Sequence, residues 1–147
     1  MQAWNGNSLH RPAQVKNNHP SENSPRLTSS KDLSPALLER FAVQVYRKMG
    51  YQVNHTGHSG DHGIDVYLVN PKKQVELVQC KQWHKPVGEP EVRDLMGAMT
   101  HERAVKGYIW APGGFSNAAR QWAKGKPILL MDDGEIENLV ESVYNSN

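Results

Sequence analysis

The sequence predicts an α/β fold, a mixed sheet flanked by helices. Three observations carry this. Apolar residues recur at helical spacing in one early stretch, three short β-rich runs follow closely, and the remainder alternates helical and strand patterns. A meander of three strands followed by alternating units implies one mixed sheet, covered on both faces. At 147 residues there is room for one domain with a single modest core.

Residues 1–30 are rich in Asn, Ser, Pro and His and show no apolar period. They read as a disordered polar, basic tail, dispensable for folding, ahead of a domain at 31–147 whose order begins near Leu33. Ser34-Pro35 is a helix start, with Ser as N-cap and Pro at the first helical position. Leu38, Phe41, Ala42, Val45 and Met49 follow at helical spacing, and Gly50 ends the run. Tyr51–Thr56 reads as a strand, GHSGDHG as a loop, Ile64–Val69 as a strand, Asn70-Pro71 as a turn and Gln74–Trp83 as a strand. Pro90 opens a second helix carrying Val92, Leu95, Met96 and Met99. Gly107–Ala111 is a strand, PGGF a turn, and Ser116 can cap a third helix carrying Ala119, Trp122 and Ala123. Pro127–Met131 is a strand, Asp132-Asp133-Gly134 a turn, and Glu135–Tyr144 a last helix.

Composition narrows the function classes. Apolar content is 37% and mean hydropathy −0.69, which suits a soluble chain. No run approaches the ~18–20 apolar residues of a membrane helix, and the N-terminus lacks the apolar stretch of a secretory signal. One cysteine leaves no internal disulfide and fits a reducing cytosol, so a cytoplasmic location is expected. The net charge of +2 divides unevenly: residues 31–131 hold 14 basic and 9 acidic side chains, whereas 132–147 carry five acids and no base. A basic body with an acidic end permits a nucleic-acid partner.

The chemistry lies in GIDVYLVNPKKQVELVQCKQW, residues 63–83, which holds Asp65, Gln79 and Lys81 where a buried sheet favours apolar side chains. Alternation puts Ile64, Val66 and Leu68 on one face with Asp65 on the other, and Val75, Leu77, Gln79 and Lys81 on a shared face. In an antiparallel hairpin Asp65 falls opposite residues 78–80. Same-face pairing with Gln79 then requires a loop of three or five residues, or a bulge. Glu39 borders the apolar stripe of the first helix, near Val43 and Tyr46, and can lean over the sheet. Two carboxylates, an amide oxygen and a lysine would converge. Oxygen donors are what Mg²⁺ requires, and a lysine beside it can orient water or stabilise a phosphoryl transition state.

Glu39, the GHSGDHGID loop with Asp65, and Gln79-Cys80-Lys81 resemble the catalytic domain of Mrr-type restriction endonucleases. These belong to the PD-(D/E)XK nuclease superfamily, in the subgroup with glutamine in place of the last acidic residue. GAMTHERAVKG and GGFSNAARQWA extend the similarity over roughly residues 34–140. The resemblance implies an αβββαβ restriction-endonuclease-like core and Mg²⁺-dependent hydrolysis of DNA phosphodiesters, with Mn²⁺ as a substitute. It implies Asp65 as principal metal ligand, Gln79 and the Cys80 carbonyl beside it, Glu39 on a metal-held water, and Lys81 assisting the nucleophile. The expected role is restriction of foreign or modified DNA. A junction or repair nuclease, and a non-catalytic DNA-binding module or subunit, are the alternatives. A homodimer and a separate DNA-specificity subunit are the further partners considered. Two departures stand out: Ala111 lies where members often have threonine, and a 30-residue tail cannot replace the DNA-reading domain of full-length members.

Other motifs have plainer readings. His55, His58 and His62 with Cys80 match no usual zinc spacing. APGGFS resembles a phosphate-cradling turn but lacks the lysine of a nucleotide-binding loop. Trp83, Trp110 and Trp122 read as packing residues. His58, Ser59, His62, Lys85, Ser116 and Arg120 are the candidate DNA contacts.

Overall fold

A computed structural model describes residues 29–55 and 63–145. Helix α1 spans Pro35–Lys48. Ser34 starts it as expected, its hydroxyl accepting from the Leu37 N–H at 3.2 Å. Strands β1 (Gln52–His55), β2 (Val66–Val69) and β3 (Val75–Cys80) follow. Helix α2 (Glu89–Glu102) leads to β4 (Lys106–Trp110), α3 (Asn117–Ala123) to β5 (Ile128–Met131), and α4 (Asp133–Asn145) closes the chain. The five strands form one sheet in chain order, antiparallel from β1 to β3 and parallel from β3 to β5. This is the mixed, helix-flanked sheet the sequence predicts. Among the described residues no helix is long and apolar enough to cross a membrane.

Each sheet face has its own core. On one side Leu38, Phe41, Val45 and Tyr46 of α1 and Ile136 of α4 pack on Val66, Leu68, Val78 and Trp110. On the other, Val92, Leu95 and Met99 of α2 and Ala119 of α3 pack on Leu77, Ile109 and Ile128. An aromatic knot sets the rotation of α1: Trp110 Nε1 donates to the Tyr46 hydroxyl at 3.0 Å, and Phe41 meets the Trp110 ring edge-on. On the opposite face α2 descends onto Gly107, where a β-carbon would lie 2.6 Å from the Met99 sulfur.

Three local expectations are corrected. Met49 is exposed rather than part of the α1 stripe, because the helix ends at Lys48 and the chain turns through Gly50 at φ +99°. Asp132-Asp133-Gly134 is a helix start rather than a turn. Asp132 Oδ1 accepts from the Glu135 N–H at 3.0 Å, and Glu135 Oε1 accepts from the Asp132 N–H at 2.9 Å, a reciprocal cap that extends α4 back to Asp133. Order also reaches further towards the N-terminus than Leu33. A 3₁₀ turn at Ser30–Asp32 is seated on the fold, with Ser30 fully buried. Its N–H reaches Asp133 Oδ1 at 3.0 Å, and the Ser29 and Ser30 hydroxyls donate to the same carboxylate.

Candidate active site

The β2–β3 hairpin positions the first carboxylate. Val69 pairs with Val75, leaving a five-residue loop, one of the two lengths the register required. Asn70 shapes it: its side-chain oxygen accepts from the N–H groups of Lys72 and Gln74 at 2.9 and 3.0 Å. At the other end Val66 pairs with Val78, yet the Asp65 N–H also donates to the Val78 carbonyl at 3.0 Å. Two residues thus face one, the arrangement of a β-bulge.

The bulge corrects the expected alternation, and with it the expected same-face pairing of Asp65 with Gln79, since Asp65 turns to the α1 side while Gln79 lies on the α2/α3 side. Ile64 packs in the α2/α3 core and Val66 in the α1/α4 core, so they do not share a face. Asp65 is turned towards α1, where its carboxyl shares a hydrogen bond with Glu39. The Cys80 N–H donates to Asp65 Oδ2 at 2.6 Å. Glu39 is half-buried one turn ahead of Val43 and two ahead of Tyr46, both buried, as the helical wheel required.

The electrostatics follow from this crowding. Burial, with the Glu39 carboxyl beside it, raises Asp65 from its ordinary 3.8 to about 6, while the Cys80 amide and the Lys81 charge pull the other way. Two carboxyls share a half-buried place that favours one proton or one cation. Burial likewise pushes the Cys80 thiol well above its ordinary range, aided by the Asp65 and Glu39 charges, so the thiol stays neutral.

Gln79 is 2% exposed, and alternation with Val78 directs it to the α2/α3 side of β3. Gly63, at φ +77°, lies against it: a β-carbon there would sit 3.1 Å from Gln79 Nε2. Lys81 continues the ladder past β3, its N–H bonding the Trp110 carbonyl at 2.8 Å, and its charge acts on Asp65. The structure therefore gathers Glu39, Asp65, Cys80 and Lys81 at the end of the hairpin, with Gln79 buried alongside.

The donor set suits a hard divalent cation. Asp65 and Glu39 offer carboxylate oxygens, Gln79 an amide oxygen and Cys80 a carbonyl, all oxygen ligands. Among the described residues no group of three His, Cys, Asp or Glu side chains is placed to hold a metal ion, so a cation would depend on the amide and carbonyl oxygens as well. A cation here would keep part of its water shell, as Mg²⁺ does.

Of the candidate DNA contacts, His58, Ser59 and His62 lie outside the described residues. Lys85 is exposed, with its ammonium 5.6 Å from the Trp83 ring centre. Ser116 caps α3, accepting from the Ala119 N–H at 3.1 Å, and Arg120 pairs with Asp132 at 3.0 Å. Trp110 is buried, while Trp83 and Trp122 are half-buried against the α2/α3 core, matching their reading as packing residues.

Sequence reasoning missed Gln82. Its amide nitrogen donates to the Ser30 and Leu33 carbonyls at 3.0 and 2.8 Å, tying the strand that bears Lys81 to the start of the helix that bears Glu39. A cleft of about 480 Å³ opens beside this tie, bounded by Lys31, Leu33, Trp83 and His84. No local pattern signals a contact between residues 49 and 52 positions apart.

Residues 30–140 match the Mrr catalytic family, described as restriction endonuclease. The chain is 31% identical over 110 residues to the type IV methyl-directed restriction enzyme EcoKMrr of Escherichia coli strain K12. That match covers 70% of this chain and 36% of that enzyme, so the chain spans little more than a third of the relative's length. Among solved structures, the DNA modification-dependent restriction endonuclease AspBHI is similar at TM-score 0.59 and 18% identity, over 83% of this chain and 37% of that one. The protein of unknown function AF1548 is similar at TM-score 0.60 and 16% identity, over 74% and 66%. A repair endonuclease from Pyrococcus abyssi is similar at TM-score 0.54 and 15% identity, over 69% and 47%. At these identities the structural likeness is one of fold.

Proposed function

Because the chain belongs to the Mrr-type restriction endonuclease catalytic family, we propose that it is a Mg²⁺-dependent DNA endonuclease acting in restriction of foreign or modified DNA. The observation that carries this reading is the Asp65 carboxyl. It is held by the Cys80 amide, shares a hydrogen bond with Glu39 and feels the Lys81 charge, all at one end of the sheet. A purely structural hairpin has no need of two crowded carboxyls beside a lysine.

In this reading Asp65, Glu39, Gln79 and the Cys80 carbonyl hold the cation. When bound, it lowers the pKa of water and neutralises charge growing on the phosphoryl group. The Cys80 N–H fixes the Asp65 carboxylate so that it is aimed before the cation arrives. Glu39 orients the attacking water from the α1 side, and Lys81 donates to that water or to a non-bridging phosphate oxygen. Among the described residues, Lys85, Ser116 and Arg120 are the proposed contacts to the DNA backbone. A second copy of the chain would bring a second site to the opposite strand, and a separate specificity subunit would supply target choice. A cytoplasmic location belongs to the same reading.

The test is incubation of the purified protein with methylated and unmethylated supercoiled plasmid, with Mg²⁺, with Mn²⁺ and with chelator. Cation-dependent nicking or linearisation is expected, and loss of it in a folded Asp65→Ala variant. Cleavage retained by Asp65→Ala would sink the site, and cleavage of branched substrates alone would favour a junction nuclease.

A further inference from the structure

We propose that Trp83 is a positioning residue, whose ring holds both the Lys81 and the Lys85 ammonium groups at the reacting strand. The inference rests on the nuclease reading above. Lys81 Nζ lies 5.2 Å from the Trp83 ring centre and Lys85 Nζ 5.6 Å, both within the range in which the ring's negative face attracts a cation. The ring is half-buried against the α2/α3 core, which holds it in place.

The platform is itself anchored. The Trp83 carbonyl lies so close to Gly113 that a β-carbon there would come within 2.4 Å of it, so the strand end and the glycine turn are in backbone contact. Lys81 is fixed at its own backbone by the bond to the Trp110 carbonyl. What remains free on a lysine is a long side chain with several rotatable bonds. An aromatic face restricts that side chain and leaves all three ammonium protons for oxygen acceptors, which a carboxylate partner would consume. One ring thus supplies Lys81 to the reaction and Lys85 to the neighbouring backbone phosphate. Trp83 acts through both lysines and touches no reacting atom.

Truncating Trp83 could disturb packing, so the deciding experiment changes the ring's charge and not its shape. Tryptophans carrying one, two and three ring fluorines, placed at position 83 of the full chain, weaken the π face stepwise. We expect plasmid-cleavage kcat to fall stepwise, roughly three- to tenfold across the series, with Tm unchanged. Trp83→Phe should retain more activity than Trp83→Leu. In proton NMR the Lys81 side-chain methylenes should show upfield ring-current shifts that vanish in Trp83→Leu, a readout independent of cleavage. A flat fluorine series alongside an inactive Lys81→Ala overturns this inference and leaves the nuclease reading standing. A wild-type protein that never cleaves, or a fully active Lys81→Ala, overturns both.

Discussion

The Cys80 amide donates to Asp65 Oδ2 across 2.6 Å, so the residue between Gln79 and Lys81 orients the carboxylate with its backbone and leaves its side chain out of the contact. Cys80→Ala should therefore keep plasmid cleavage within about threefold of wild type, at a stability cost of about 1 kcal/mol for the lost packing. Thiol alkylation of the native protein should be slow, because burial keeps the thiol neutral. An inactive but folded Cys80→Ala would show that the thiol takes part in the chemistry.

Asp65 gives the metal-free protein a pH signature. Its carboxyl is raised from 3.8 to about 6, chiefly by burial and further by Glu39, so the native state holds a proton that the unfolded chain releases. That contribution is complete below about pH 4 and is lost as pH rises through about 6. After allowance for solvent screening it amounts to about 1–2 kcal/mol. Thermal melts in chelator from pH 4 to 7 should show wild type losing stability relative to Asp65→Asn, and Mg²⁺ at pH 7 should restore it by mass action. A wild-type-minus-variant difference that stays constant with pH contradicts the assignment.

Gln79 offers a cation one neutral oxygen, so affinity should be modest and Glu39 should matter correspondingly. Gln79→Glu keeps the oxygen and adds a charge near Lys81. It should bind Mg²⁺ more tightly by calorimetry and keep part of the activity, whereas Gln79→Leu should be inactive. If the two bind the ion equally, Gln79 is not a ligand.

A chain starting at Ser29 should melt with the full-length protein. One starting at Leu33 loses the Ser29 and Ser30 bonds to Asp133 and the Gln82 bond to the Ser30 carbonyl. The cost should be about 1–3 kcal/mol, and several degrees in Tm. Equal melting of the two truncations would show that the turn is decoration.

Much of this site is legible in the sequence because most of it is local. Asp65, Gln79, Cys80 and Lys81 lie within one hairpin, and an odd loop length with period-two alternation nearly places them. Glu39 is readable because a helix stripe has a definable border. A bulge was one of the options the register left open, but its place at Asp65 was not readable, because hydrogen bonding to the Val78 carbonyl, and not residue type, decides it. Gln82 and the Ser30–Asp133 contact escaped for a different reason: their partners come from tertiary packing. The reciprocal cap at Asp132 was available in the Asp-x-x-Glu spacing and was overshadowed by the turn propensity of Asp-Asp-Gly.

Strand β3 lies at the centre of the sheet, antiparallel to β2 on one side and parallel to β4 on the other. Amide protons there should exchange with solvent only when the whole sheet opens, whereas edge strands and helix ends open more cheaply. The Cys80 and Lys81 amides, one bonded to Asp65 and the other to Trp110, should be among the slowest to exchange. The candidate site is thus mounted on the part of the fold expected to come apart last. Partial unfolding at either edge leaves the site assembled, and catalytic competence should vanish together with the global fold.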